Sequence, residues 1–190
     1  MGYALAHAFV KQQHQVLLIS GPTSLDVPHH VDYLPVESAQ DMHDAVAHAL
    51  PRVDIAIFCA AVADYTPVEV ATQKIKKSDE FITITLKKTI DILGSARSVH
   101  GFTGYLVGFA AETEDLETNA RTKLLAKKCD MIIANDVSQS SIGFDSHENE
   151  VLIVEAEENT KLPRDSKEHL AHHLAAIILK RFDRKRGGVS

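Results

Sequence analysis

The chain has 190 residues with a formal net charge of -6; 45% of the residues are hydrophobic and 24% are charged. That balance supplies one globular core, and its acidity argues against a nucleic-acid partner, because phosphate-backbone binding needs a continuous basic face. No run approaches the roughly 18 apolar residues of a membrane span, and the opening MGYALAHAFVKQQHQ lacks a basic flank and cleavage site, so a cytoplasmic protein is expected.

Tyr3 to Gln13 carries apolar residues at helical spacing, and HQVLLIS after it is a short apolar run stopped by Gly21 and Pro22, which predicts a helix followed by a buried strand. A second helix is expected from Ser38, its cap, to Leu50, closed by Pro51. VDIAIFCA at 53–60 predicts another buried strand, and the alternation in ITITL at 82–86 predicts a strand with one wet face. A helix at 91–98, a strand at 105–110, a helix at about 115–128 and a strand at 130–135 follow. EVLIVEA predicts a last strand, and a final helix starts near Ser166. Apolar strands alternating with helices predict the α/β class: a doubly wound, mostly parallel, Rossmann-like sheet with helices on both faces. We expect a single domain over 1–190 with a flexible arm at about 66–80.

Ligands in such a sheet bind beyond the carboxyl ends of the strands. Those ends are Ser20 and Gly21, the stretch Cys59 to Asp64, Phe109 to Thr113, and Asn135 to Ser138. The small residues of AAVAD, GFAAET and ANDVS let a ligand approach the backbone, although they also suit tight strand-to-helix turns. A doubly wound nucleotide fold opens with a strand and a Gly-rich turn, whereas this chain enters helical sequence directly after Met1 and Gly2. The first strand and its loop are therefore expected to be missing.

Asp64, after a run of small residues, could bond a base or sugar, help hold a divalent cation, or simply form a turn. Lys74, Lys76 and Lys77 lie on the arm, where they form either a solvated surface or a cationic strap brought to phosphates. In LETNARTKLLAKK, Leu116, Ala120 and Leu124 make one stripe at about 100° per residue, and Lys123 and Lys127 fall beside it rather than opposite. With Phe109 they could meet one nucleotide; alternatively Phe109 is core and the lysines answer the helix dipole. Cys59 and Cys129 read as reduced, buried thiols. His169 and His173, four apart, read as the wet side of the last helix rather than as metal ligands. No G-x-S-x-G elbow marks a hydrolase.

Taken in order, AAVADY at 60–65, KIKK at 74–77, DIL at 91–93, VGFAAET at 107–113, ARTKLLAKKCD at 120–130 and ANDVS at 134–138 resemble the phosphopantothenoylcysteine synthetase family, the ligase often fused behind a flavin decarboxylase in bacterial coenzyme A synthesis. The resemblance implies CTP-dependent ligation of 4'-phosphopantothenate to cysteine through an acyl cytidylate, with Mg²⁺ on the triphosphate. It implies nucleotide contacts from Asp64, Lys74, Phe109, Lys123 and Lys127. Mainly backbone contacts would come from Phe58, Cys59 and Ala60 and from Ile90, Asp91, Ile92 and Leu93. By the same resemblance Lys74 is the catalytic residue, offsetting charge on the cytidylate. The protein would form a homodimer in which each arm reaches towards the partner's site, and a separate flavin-dependent decarboxylase is a possible partner. Two departures stand out. The family's S-N-x-S-S-G-K-x-G loop would lie before Met1, and its K-N-P-D-I is replaced by KKTIDI. The competing expectation is a catalytically weak or inactive member that binds a ligand or dimerises; an NAD(P)-binding reductase has no G-x-G-x-x-G to support it.

Overall fold

A computed structural model describes residues 1–71, 73–76, 81–112, 114–136 and 148–187. In chain order the elements are α1 (Gly2–Lys11), β1 (Leu17–Ser20), β2 (Asp32–Pro35), α2 (Ala39–Ala49), β3 (Ile55–Phe58), β4 (Tyr65–Pro67), β5 (Leu86–Lys88), α3 (Ile92–Ser98), β6 (Tyr105–Glu112), α4 (Leu116–Lys127), β7 (Met131–Asp136), β8 (Glu148–Val154), β9 (Asn159–Ser166) and α5 (Lys167–Gly187). The main sheet runs β3-β6-β7-β8-β9. β3, β6 and β7 are parallel, and β8 and β9 join antiparallel. β1 and β2 form a separate parallel pair, and β4 and β5 an antiparallel one.

Alternation along the central strands builds two cores, because successive side chains leave opposite faces of a strand. Tyr105 and Val107 of β6, with Met131 and Ile133 of β7, meet Leu5 and Phe9 of α1 and Leu170, Leu174 and Ile178 of α5. On the other face Ala110, Ile132 and Ala134 pack under Ala120 and Leu124 of α4, and Leu106 packs with Leu50, Ala96 and Phe102. The helix start predicted at Ser38 carries a full capping box: its hydroxyl accepts from the Asp41 N–H and the Asp41 carboxylate accepts from the Ser38 N–H.

Four elements depart from expectation. The strand expected over ITITL at 82–86 is reduced to Leu86–Lys88, and Phe81, Ile82 and Ile84 stand exposed, because no second layer covers the arm and period-2 alternation has nothing to bury against. β2, β4 and β9 were not expected. β9 is polar and carries Pro163 at the sheet edge, where a missing N–H is tolerated. Val137 and Ser138 of ANDVS, Thr113 and Lys77 lie outside the described residues.

At the amino-terminal end of β6, Gly104 fits where nothing larger does. A Cβ there would stand 2.3 Å from the Asp54 carbonyl oxygen and 2.5 Å from the Phe102 ring. The Asp54 carbonyl already accepts the Tyr105 N–H at 2.8 Å and so has little room to shift. Gly104→Ala is expected to cost about 1–3 kcal/mol, as overpacking does, read as a lower urea midpoint at unchanged slope.

Candidate active site

One cavity of about 1770 Å³ opens along the carboxyl ends of β1, β3 and β6. It gathers Phe58, Cys59, Ala60, Asp64, Ile90, Asp91, Ile92, Leu93, Phe109, Lys123 and Lys127, residues contributed by two strands, two loops and two helices. Lys74 is not among its lining residues; it stands exposed on the arm.

Asp91, Lys123 and Lys127 are each held by a neighbour on this wall. Asp91 ends the loop after β5, where its Oδ1 accepts the Gly94 N–H at 3.0 Å and caps α3. Its Oδ2 pairs with the Lys127 ammonium, one turn along α4 from Lys123. Lys123 lies 3.4 Å from Glu112 Oε1, and Asn119 donates to the other Glu112 oxygen at 3.3 Å. Lys127 and Lys123 side chains retain 29% and 36% exposure, so both ammonium groups are open to the cavity yet provisionally neutralised. A polyanion entering there would compete with two carboxylates for two cations. Asp64 makes no side-chain hydrogen bond or ion pair among the described residues, while its carbonyl accepts the Thr89 N–H at 2.8 Å. Thr89, where the resembled pattern has asparagine, has a buried hydroxyl without a partner among the described residues.

Burial drives the Asp91 carboxyl up, but the Lys127 ammonium and the Gly94 N–H outweigh that, and the net position lies below the usual carboxylate value. A depressed folded-state value means the stabilisation is fully present above the unfolded pKa near 4 and is lost as pH falls through the folded one. Acid titration of wild type against Asp91→Asn is expected to show their stabilities converging below about pH 4. Burial pushes the Cys59 thiol up to about 12, opposed by the nearby amino terminus, and the Cys129 thiol likewise to about 12. Neither is poised as a thiolate nucleophile.

Glu112 and Asn119 were not singled out in the sequence, although a signal existed. Period-2 alternation in β6 puts Glu112 on the same face as Leu106 and Ala110, under α4, so an acid there must meet whatever cation α4 turns inward. Among the described residues no group of three or more His, Cys, Asp or Glu side chains could hold a metal, and His169 instead sits 3.2 Å from Asp165 on the surface. A magnesium ion carried by phosphates needs only one or two carboxylates, and the unengaged Asp64 suits that role. No helix among the described residues is long and apolar enough to cross a membrane.

Residues 1–182 match the family described as the DNA/pantothenate metabolism flavoprotein C-terminal domain. The chain belongs to this family. Among its relatives is the coenzyme A biosynthesis bifunctional protein CoaBC of Vibrio vulnificus, 45% identical over 180 residues covering 94% of this chain and 45% of the relative. The chain thus spans about half the length of the curated relatives it matches. The crystal structure of the C-terminal domain of a coenzyme A biosynthesis bifunctional protein CoaBC superposes with a TM-score of 0.77 at 37% identity, covering 95% of this chain and 82% of that one. A Cab2 mutant in complex with phosphopantothenate-cysteine superposes at 0.74, covering 96% of this chain and 77% of that one; at 14% identity this likeness concerns the fold alone.

Proposed function

We propose that the chain is a phosphopantothenate-cysteine ligase: it joins 4'-phosphopantothenate to cysteine at the expense of CTP in coenzyme A biosynthesis. The observation that carries the reading is the convergence of Asp64, Asp91, Phe109, Lys123 and Lys127 on one cavity at the strand ends. Likeness to a CoaBC C-terminal domain at 37% identity supports the same reading.

In this reading a phosphopantothenate carboxylate oxygen attacks the α-phosphorus of CTP and pyrophosphate leaves. Cysteine's amine then attacks the acyl carbon, CMP leaves with the bonding pair, and the amine loses a proton to water. Lys123 and Lys127 exchange their carboxylate partners for phosphate oxygens. Phe109 lies against the base. Asp64 would supply a protein oxygen to a magnesium ion on the triphosphate, which would neutralise part of its charge. Lys74 offsets charge on the cytidylate when the arm closes and excludes water from the mixed anhydride. The homodimer belongs to the same proposal, and the exposed Val70 of the arm with Phe81, Ile82 and Ile84 just after it supply apolar surface for pairing. A cytoplasmic location and a separate decarboxylase partner complete it.

The test mixes the purified chain with CTP, phosphopantothenate, cysteine and Mg²⁺ and follows pyrophosphate. Release that requires both organic substrates, and that falls at least tenfold in Lys74→Gln, is the expected result. CTP binding without release sustains the second reading, a ligand-binding or dimerising module, which the half-exposed strand β3 beside the site favours. Release unchanged in Lys74→Gln removes the catalytic assignment.

A further inference from the structure

Two imidazoles meet where α2 packs against α3, and His43, Asp44 and His100, which build this place, are not among the residues lining the cavity. Val46 of α2 lies against Leu50, Ala96 of α3 and Phe102, and His43, three residues before Val46, shares that face of the helix. Its side chain is only 16% exposed. His100 follows the end of α3: its N–H returns to the Ser95 carbonyl at 3.0 Å, and Gly101, at a φ of 63°, turns the chain so that the Phe102 N–H reaches the Ala96 carbonyl at 2.9 Å. Each ring thus springs from backbone that the apolar contact fixes.

The two Nε2 atoms stand 3.2 Å apart, with ring centroids 5.1 Å apart and ring planes inclined at 50°. One ion bound to both nitrogens at about 2.0–2.1 Å would subtend an angle of about 100° between them and set the centroids about 5 Å apart, close to tetrahedral coordination. The pair already has that spacing. Two neutral rings share one proton across such a gap, so one donates and the other accepts. Asp44 decides which: its Oδ1, also bonded by Gln40 at 2.9 Å, lies 3.0 Å from His43 Nδ1 and fixes the proton there. The His43 Nε2 lone pair then faces His100. A carboxylate behind an imidazole is the outer-shell arrangement of histidines that ligate metals. Because Asp44 sits on the far nitrogen it is not itself a ligand, in agreement with the absence, among the described residues, of any group of three candidate ligands.

We propose that His43 and His100 form a two-imidazole site for a borderline divalent ion, zinc in the first instance, with Asp44 behind His43 and water completing the coordination. Binding replaces the Nε2–H···Nε2 bond by two nitrogen–metal bonds; the proton on His100 Nε2 passes to water, and its Nδ1 takes one from water. Imidazole suits zinc, copper and nickel, whereas magnesium takes oxygen ligands, so a magnesium ion carried on a nucleotide does not compete here. The bound ion pins α2 to the end of α3. It stabilises the fold in proportion to its occupancy.

The inference does not depend on the ligase reading, and its readout is zinc binding rather than turnover. The test titrates Zn²⁺ alone into the purified chain at about pH 7.5, where both imidazoles are neutral, by calorimetry, and follows the thermal midpoint. Every chain carries His169→Gln, which breaks up the exposed His169 and His173, four apart on α5 and a second place where imidazoles might hold the ion. The expected result is one Zn²⁺ per chain at the tightest step, with a midpoint raised by about 3 °C or more at saturation and no such rise with Mg²⁺. Affinity is expected to fall at least tenfold in His43→Gln and in His100→Gln, and about tenfold in Asp44→Asn, which a role confined to helix packing would not produce. Equal zinc isotherms for the parent and both histidine variants overturn the proposal. So does an anomalous zinc peak in crystals of the parent chain that avoids both Nε2 atoms, a measurement that needs no substitution at the site.

Discussion

Asp130→Ala is expected to destabilise the protein by about 3 kcal/mol, the cost of leaving a largely buried ion pair with one partner. For a chain of this size that lowers the thermal midpoint by roughly 6–12 °C. Asp130 sits at the turn into β7, and one of its oxygens accepts both the Arg97 guanidinium at 2.5 Å and the Leu106 N–H at 2.7 Å. The other accepts Lys185 at 2.8 Å. Arg97 in turn donates to the carbonyls of Lys128, Phe102 and Gly104. These two side chains, 18% and 20% exposed, therefore tie α3, the start of β6, the end of α4 and α5 together at the amino-terminal ends of β6 and β7. Removing the carboxylate strands the guanidinium and a strand N–H together. Lys185→Ala, which removes a more exposed partner, is expected to cost under about 1 kcal/mol. Equal losses for the two variants, measured by urea unfolding, would remove Asp130 from the centre of this network.

The second large effect concerns ligand affinity. Lys123→Gln and Lys127→Gln are each expected to weaken CTP binding roughly 10- to 150-fold, the equivalent of about 1.5–3 kcal/mol for a charge-assisted hydrogen bond. Each ammonium rests on a carboxylate in the ligand-free cavity, Lys123 on Glu112 and Lys127 on Asp91. The same pairing predicts an opposite sign for Asp91→Asn, which releases Lys127 while the amide oxygen still caps α3 through Gly94. Calorimetric titration at two salt concentrations checks both effects, because losing a lysine should flatten the salt dependence. Lysine variants that bind CTP as wild type does would place the triphosphate elsewhere.

Much of the fold was legible in local patterning. The capped start at Ser38, the apolar runs of β3, β6 and β7 and the helical stripe of α4 each state their element within a dozen residues, since burial on a strand or helix imposes a period. The small residues after β3, Ala60 and Ala63, line the cavity as strand direction suggests, whereas Ala110 and Ala111 after Phe109 and Ala134 and Asn135 of β7 do not. The arm was misjudged in one respect: ITITL alternates like a strand, yet alternation specifies a strand only where a second layer buries one face.

By itself, then, the sequence determined the helices, the apolar strands β3, β6 and β7 and the family, because each rests on local period or residue identity. Only the tertiary structure decided which acid neutralises which lysine, that Arg97 and Asp130 meet at the amino-terminal ends of β6 and β7, and that β1 and β3 belong to separate sheets. Those are contacts between residues distant in the chain, and pairing across such distances is set by how layers stack, which no short stretch of sequence encodes.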